Sequence, residues 1–134
     1  MEKSLSFVVL FCVAMAIVTS VYAQNPAAGE LLVKQRCSAC HTFTIGGPNK
    51  VGPNLFGVMN RKAGQADGYK YSPGFSMITD KVVWSDKAVV DYLADPTAFV
   101  RTVVGDAKLR SKMTFKLPGL QNRKDVAAYL GTLR

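Results

Sequence analysis

Residues 37–41 read CSACH, and this pentapeptide holds two of the three cysteines and the only histidine in a chain of 134 residues. The third cysteine, Cys12, lies in an apolar stretch near the N-terminus. Past that stretch the chain has no other thiol or imidazole, so any chemistry that needs a thiol or an imidazole is confined to one turn of backbone. Two cysteines that close together also cannot staple a small fold. A domain of this size struggles to bury enough apolar surface for stability on its own. Something that the sequence does not encode must therefore complete its interior.

Four readings of CSACH compete. A structural zinc site needs four protein ligands, and this segment supplies three. A thioredoxin-like C-x-x-C belongs beside a βαβ pattern, which the chain lacks. A plain disulfide leaves the histidine and the unfilled interior without a reason. The fourth reading is covalent attachment of a c-type haem, for which C-x-x-C-H is the expected spacing. Two thiols three residues apart on a helical turn can each form a thioether with one porphyrin vinyl group. The next residue, a histidine, is then carried to the iron as an axial ligand. One such motif predicts one haem, attached at Cys37 and Cys40 and ligated by His41.

A single histidine excludes a second imidazole on the opposite side of the iron. Methionine, lysine or an open site remain. Beyond residue 23 there are three methionines, Met59, Met77 and Met113. Methionine is core filler by default, so spacing alone does not choose among them. Met113 has the best context, since RSKMTFKLPG places it on a loop between two helices. A peroxidase or ligand-binding site would call for a distal histidine, and none exists.

The first stretch reads as a secretory signal peptide over residues 1–23. Lys3 is followed by an uninterrupted apolar run from Phe7 to Val18, then Thr19, Ser20 and the small-residue cleavage pattern Val21-Tyr22-Ala23. The run is well short of the roughly 20 apolar residues of a spanning helix. A cleaved leader predicts a soluble periplasmic domain over 24–134; a retained one would give a membrane-anchored protein facing the periplasm. Glu2 and Lys3 leave together, so the net charge stays at +8. A basic surface of this kind favours fast encounters with acidic partners. Nucleic acid, the other common partner of basic chains, is not expected across the membrane.

The predicted class is all-α, with few or no strands. Asn25-Pro26 reads as an N-cap and first helical residue, with the helix continuing through Glu30 to Val33 into Cys37. Ser85-Asp86 starts a second helix whose stripe is Val89, Val90, Tyr92 and Leu93. Asp95-Pro96 ends it and starts another, with Phe99, Val100 and Val103 inward. The last helix is expected from about Asn122, with Val126, Tyr129, Leu130 and Leu133 at i, i+3, i+4 and i+7. Residues 42–81 are rich in glycine, proline, asparagine and serine and show no period. So long an irregular stretch is reasonable only if it wraps a large apolar group.

In order along the chain, CSACHTF, KVGPNLFGVMNRKAG, GYKYS, the single Trp84, DYLADP, KMTFKL and AAYL resemble the class I cytochromes c. The likeness spans residues 28–133, and the long segment DPTAFVRTVVGDAKLRSKMTFKL resembles the long form of bacterial cytochrome c2 more than the mitochondrial proteins. The resemblance implies a small cytochrome c fold of four to five helices, with long loops around one haem c. It implies Met113 as the second iron ligand and Pro53 as the carbonyl that orients His41. Arg61, Tyr71 and Trp84 would hold the propionates, and Tyr92 would lie near the Met113 sulfur. Gly29 would let the first helix cross the last at Tyr129 and Leu130. Two positions depart from the family pattern: Asn60 stands where a glycine usually precedes the arginine, and Val33 replaces a common aromatic. The span from Tyr71 to Trp84 is also longer than in the mitochondrial form.

By the same resemblance the chain is an electron-transfer protein and not an enzyme. It would work as a monomer, carrying electrons from a quinol–cytochrome c reductase to a terminal oxidase of a respiratory chain or to a photosynthetic reaction centre. Lys34, Lys50, Lys70, Lys112 and Lys116 would surround the haem edge and meet acidic docking faces.

Overall fold

A computed structural model describes residues 23–134. The signal peptide expected over residues 1–23 lies almost wholly outside the described residues. Among the described residues no helix is long and apolar enough to cross a membrane. The described residues form five α-helices: α1 (Pro26–Leu32), α2 (Pro73–Ser76), α3 (Asp86–Ala94), α4 (Pro96–Val104) and α5 (Leu120–Leu130). The only extended pairing among these residues is an isolated antiparallel bridge between Lys62 and Val83.

Short polar side chains start four of the helices, each by accepting backbone N–H bonds that the first turn leaves unmet. The Asn25 side chain accepts from Ala27 and Ala28, Ser72 from Phe75, Ser85 from Ala88, and Asp95 from Ala98. Proline follows the cap in α1, α2 and α4, where its missing N–H costs nothing. Helix α5 departs from expectation. It starts at Leu120, two residues before Asn122, after Gly119 at φ +83° and with no side-chain cap. It ends at Leu130, so Leu133 packs beyond the helix rather than on its stripe.

Helices α1 and α5 make the closest crossing. An added Cβ on Gly29 would lie 2.0 Å from the Asp125 carbonyl oxygen and 2.9 Å from Tyr129 Cβ. The tightest approach is thus one turn earlier on α5 than the Tyr129–Leu130 crossing expected. Asp125, itself buried, accepts from Asn25 N and from Gln121 Nε2, both at 2.8 Å, and fastens the start of α1 to α5.

After Leu32 the helix widens into a π-helical turn over Val33–Cys37, where Ser38 N reaches back to the Val33 carbonyl at 3.2 Å. Wide turns of this kind are frequently found at functional sites. This one delivers Cys37, and Cys40 and His41 then donate their backbone N–H groups to the Cys37 carbonyl at 3.0 and 2.9 Å.

The irregular segment 42–72 is held by amide side chains in place of a ladder. Asn54 Nδ2 donates to the carbonyls of Thr44 and Gly47, and its Oδ1 accepts from Phe56 N. Asn49 accepts from Asn54 N and donates to the Asp67 carbonyl. Asn60 has φ +66°, the left-handed region in which asparagine is one of the few tolerated replacements for glycine. The extra length between Tyr71 and Trp84 folds into α2, which stacks Phe75 on Tyr71 with ring centroids 5.0 Å apart.

The core is a shell. Val33, Val58, Phe75, Trp84, Val89, Leu93, Val126 and Leu130 are buried, yet all of them also line one central cavity. Val33, which stands where an aromatic is common, is fully inaccessible to solvent and lies on that wall.

Candidate haem-binding cavity

The central cavity has a volume of about 320 Å³. All nine residues singled out in the sequence lie on its wall: Cys37, Cys40, His41, Pro53, Arg61, Tyr71, Trp84, Tyr92 and Met113. They come from the turn after α1, the irregular loops, α3 and the loop before α5, and only the tertiary fold brings them together.

His41 Nδ1–H donates to the Pro53 carbonyl at 2.7 Å. A carbonyl can only accept, so this bond places the proton on Nδ1 and leaves the Nε2 lone pair available to a metal. Burial lowers the basicity of the imidazole, only partly opposed by the Pro53 hydrogen bond, and nearby Lys50 lowers it further. A neutral ring with one free nitrogen follows. Gly52 supports the ring from one side. A Cβ there would sit 2.3 Å from His41 Cε1, so any larger residue would displace the imidazole. Sequence reasoning did not single out Gly52, because nothing local marks a glycine that must pack on a side chain eleven positions away.

Cys37 and Cys40 are unbonded. Burial, with a smaller contribution from Cys40, pushes the Cys37 thiol up to about 11 and keeps it neutral. Among the described residues no group of three or more histidine, cysteine, aspartate and glutamate side chains could hold a metal ion.

Tyr69, Tyr71, Phe75, Trp84, Tyr92 and Phe99 form a continuous aromatic cluster, with the Trp84 and Tyr92 centroids 5.1 Å apart. Four members stand on the cavity wall besides Tyr69. Burial pushes the Tyr92 hydroxyl up to about 12, and it lies 3.1 Å from Ser111 Oγ. Ser111 in turn accepts from the backbone N–H of Met113 at 3.2 Å. Ser111 thus positions the Met113 backbone and the Tyr92 hydroxyl together, a role legible only as its place two residues before the methionine. Met113 alone of the three candidate methionines lines the cavity; Met59 packs in the surrounding core and Met77 is 51% exposed.

Arg61 supplies a test of what the cavity fits. Its Nε is buried with no partner, and its Nη2 has only a long 3.5 Å contact to the Asn54 carbonyl. An unmet guanidinium donor in an apolar wall is costly unless an anionic group completes it. A flat, largely apolar cofactor with carboxylate side chains meets both demands, and the adjacent thiol pair and imidazole suit its covalent attachment and ligation.

The chain is similar to known proteins over most of its length. A cytochrome c-550 from Novispirillum itersonii is 47% identical over 109 residues, which are 81% of this chain and 98% of that protein. A cytochrome c2 from Rhodospirillum rubrum is 44% identical over 127 residues, 94% of this chain and 93% of its own. The chain belongs to the class I c-type cytochromes. It is an electron-transfer protein rather than an enzyme, and its cofactor is one covalently bound haem c. The fold agrees as well: the solved structure of cytochrome c2 from Rhodospirillum centenum superimposes with a TM-score of 0.76 at 40% identity, covering 81% of this chain and 98% of that one. No family model matches the chain.

The lysines expected around the haem edge of this cytochrome occupy different situations. Lys112 lines the cavity, and Lys50 donates to the Ser38 carbonyl between the two cysteines. Lys34 and Lys116 are in exposed ion pairs with Glu30 and Asp95, each at 2.6 Å. Exposed pairs of that kind are weak and screened, so they reorganise readily when a partner approaches.

Proposed function

We propose that this cytochrome is a soluble periplasmic carrier whose haem is held by thioethers at Cys37 and Cys40 and ligated by His41 and Met113. The observation that carries the reading is His41: its Nδ1 proton is committed to Pro53 and its ring rests on Gly52, beside two unbonded thiols on the same cavity wall. Arg61, Tyr71 and Trp84 would hold the propionate groups, for which the unmet Arg61 donor is the strongest argument. Bound there, the haem supplies one-electron exchange between ferric and ferrous iron. The chain sets the direction of that exchange: a weakly donating thioether and an apolar wall both disfavour the additional positive charge of the ferric state. Two protein ligands also leave no coordination position for oxygen or a substrate.

Residues 1–23 would be removed as a signal peptide on export. Electrons would come from a quinol-oxidising reductase and leave to a terminal oxidase or a photosynthetic reaction centre, with the cytochrome acting as a monomer. Its basic surface would steer it to acidic faces on both. The rate of reduction by the reductase is accordingly expected to fall as ionic strength rises; a rate independent of salt would remove electrostatic steering from the account.

Intact mass under denaturing conditions tests the central claim. Protein from a host able to mature c-type cytochromes is expected to have the mass of residues 24–134 plus one haem. Haem released on denaturation would refute the thioethers, and a haem-bearing chain that kept residues 1–23 would refute cleavage alone.

A further inference from the structure

A second cleft, of about 310 Å³, borders the haem cavity at Met113 and Thr114, which line both. One wall is a face of α4 with Thr97, Ala98 and Arg101; the loop after that helix supplies Arg110 and Lys116. Six of its nine lining residues are polar or charged, whereas the haem cavity is walled mainly by apolar and aromatic side chains. Its charges do not balance. Three cations, Arg101, Arg110 and Lys116, meet one carboxylate, Asp95, which leaves a net of two positive charges. Asp95 is already committed, since it accepts from Ala98 N at 3.0 Å as the cap of α4 and pairs with Lys116 at 2.6 Å. Neither arginine forms an ion pair with any described residue.

An arginine on a basic surface is ordinarily left in water, where its long side chain keeps its entropy. Arg110, which is exposed, would fit that description by itself. Arg101 does not. It is half-buried, and its Nε donates to the Leu109 carbonyl at 2.8 Å, which fixes the plane of the guanidinium before any ligand arrives. Lining one cleft with unpaired like charges costs repulsion, and a bound anion removes that cost. The planar fork of a guanidinium matches two oxygens of a phosphate group, a fit that an ammonium cannot make.

We propose that this cleft binds a small phosphate-bearing anion of two or more negative charges. The Arg101 and Arg110 guanidiniums hold the phosphate oxygens, with Lys116 as a third cation and the Thr114 hydroxyl as a neutral donor. Two negative charges neutralise the cleft; a monocarboxylate would leave half of its excess uncompensated. The volume is at the lower end of ligand pockets, which run from about 300 to 1,000 Å³, and suits a diphosphate or a phosphorylated sugar. The site is independent of how the iron is ligated and of where the carrier docks.

Pyrophosphate titrated into the ferrous holoprotein at constant ionic strength tests the site. Arginine Nε–H and backbone amide resonances of isotope-labelled protein report where it binds, and calorimetry reports how tightly. Saturable shifts are expected at Arg101, Arg110 and Thr114, with no saturable shift there when acetate replaces pyrophosphate. Arg110→Gln should weaken binding about tenfold, the loss of one charge-assisted hydrogen bond. Arg101→Lys keeps the charge but loses the fork, and should weaken it to a similar degree. Lys62→Gln removes the same unit of charge from a residue that lines neither cavity, and should leave the affinity within about twofold. Equal weakening by Arg110→Gln and Lys62→Gln, or unsaturable shifts spread over the surface lysines, would overturn the proposal and reduce the cleft to part of a diffuse basic surface.

Discussion

Replacing Gly29 by alanine is expected to lower the melting temperature of the holoprotein by on the order of 10–20 °C, a loss of about 3 kcal/mol or more. Two effects of opposite sign compete at this position. Alanine is the better helix former by about 1 kcal/mol, which alone would stabilise α1. Its Cβ, however, would stand 2.0 Å from the Asp125 carbonyl oxygen, and that atom belongs to the backbone of α5 and cannot rotate away. The helices would have to separate by more than an ångström. That movement would stretch the Asn25–Asp125 bond and open the packing around Val33, Val126 and Leu130, which is cavity wall as well as core. The overlap wins because it is steric and its neighbour is fixed. Thermal unfolding followed by circular dichroism measures the outcome; a melting temperature at or above that of the unchanged protein would show that α1 and α5 do not pack this closely.

Met113→Ala is expected to abolish the near-infrared sulfur-to-iron band and to lower the midpoint potential by on the order of a few hundred millivolts, within the range of about 0.8 V that axial ligands span. The size follows from what remains. His41 is the chain's only histidine, so no second imidazole can replace the thioether. Met59 and Met77 lie off the cavity wall, so neither methionine can take its place without the fold rearranging. Water or an amine would enter instead, and such harder donors favour the ferric state. Potentiometric titration with near-infrared absorption decides the matter, with Met59→Leu and Met77→Leu as controls expected to leave both readings unchanged. Retention of the band in Met113→Ala would sink the ligation.

Helix starts were legible in the sequence because a cap is a local device. Asn25-Pro26, Ser85-Asp86 and Asp95-Pro96 each combine a side chain that accepts backbone N–H bonds with a residue suited to the first turn, and each begins a helix in the structure. Ser72-Pro73 carries the same signal, but α2 is four residues long and too short to show an apolar period. Helix α5 began early because Gly119 at positive φ starts it without a capping side chain. The π-helical turn before Cys37 has no local signature either, since its residues would serve equally well in an ordinary helix.

The candidate chemistry was likewise readable where it depends on which atoms exist. One histidine, two closely spaced cysteines and no other thiol past residue 23 restrict the thiol and imidazole chemistry to CSACH, and counting suffices to establish that. Placement was another matter. Which methionine reaches the cavity wall, that Gly52 supports the His41 ring, that Arg61 keeps an unmet donor and that Lys112 donates to the Lys70 carbonyl are contacts between residues eleven to more than forty positions apart, or depend on burial that the whole fold creates. Composition and spacing record the donors a chain owns and the turns it can start. Only the packing of α1 on α5, with the loops closed over a hollow core, decides which of those donors face one another.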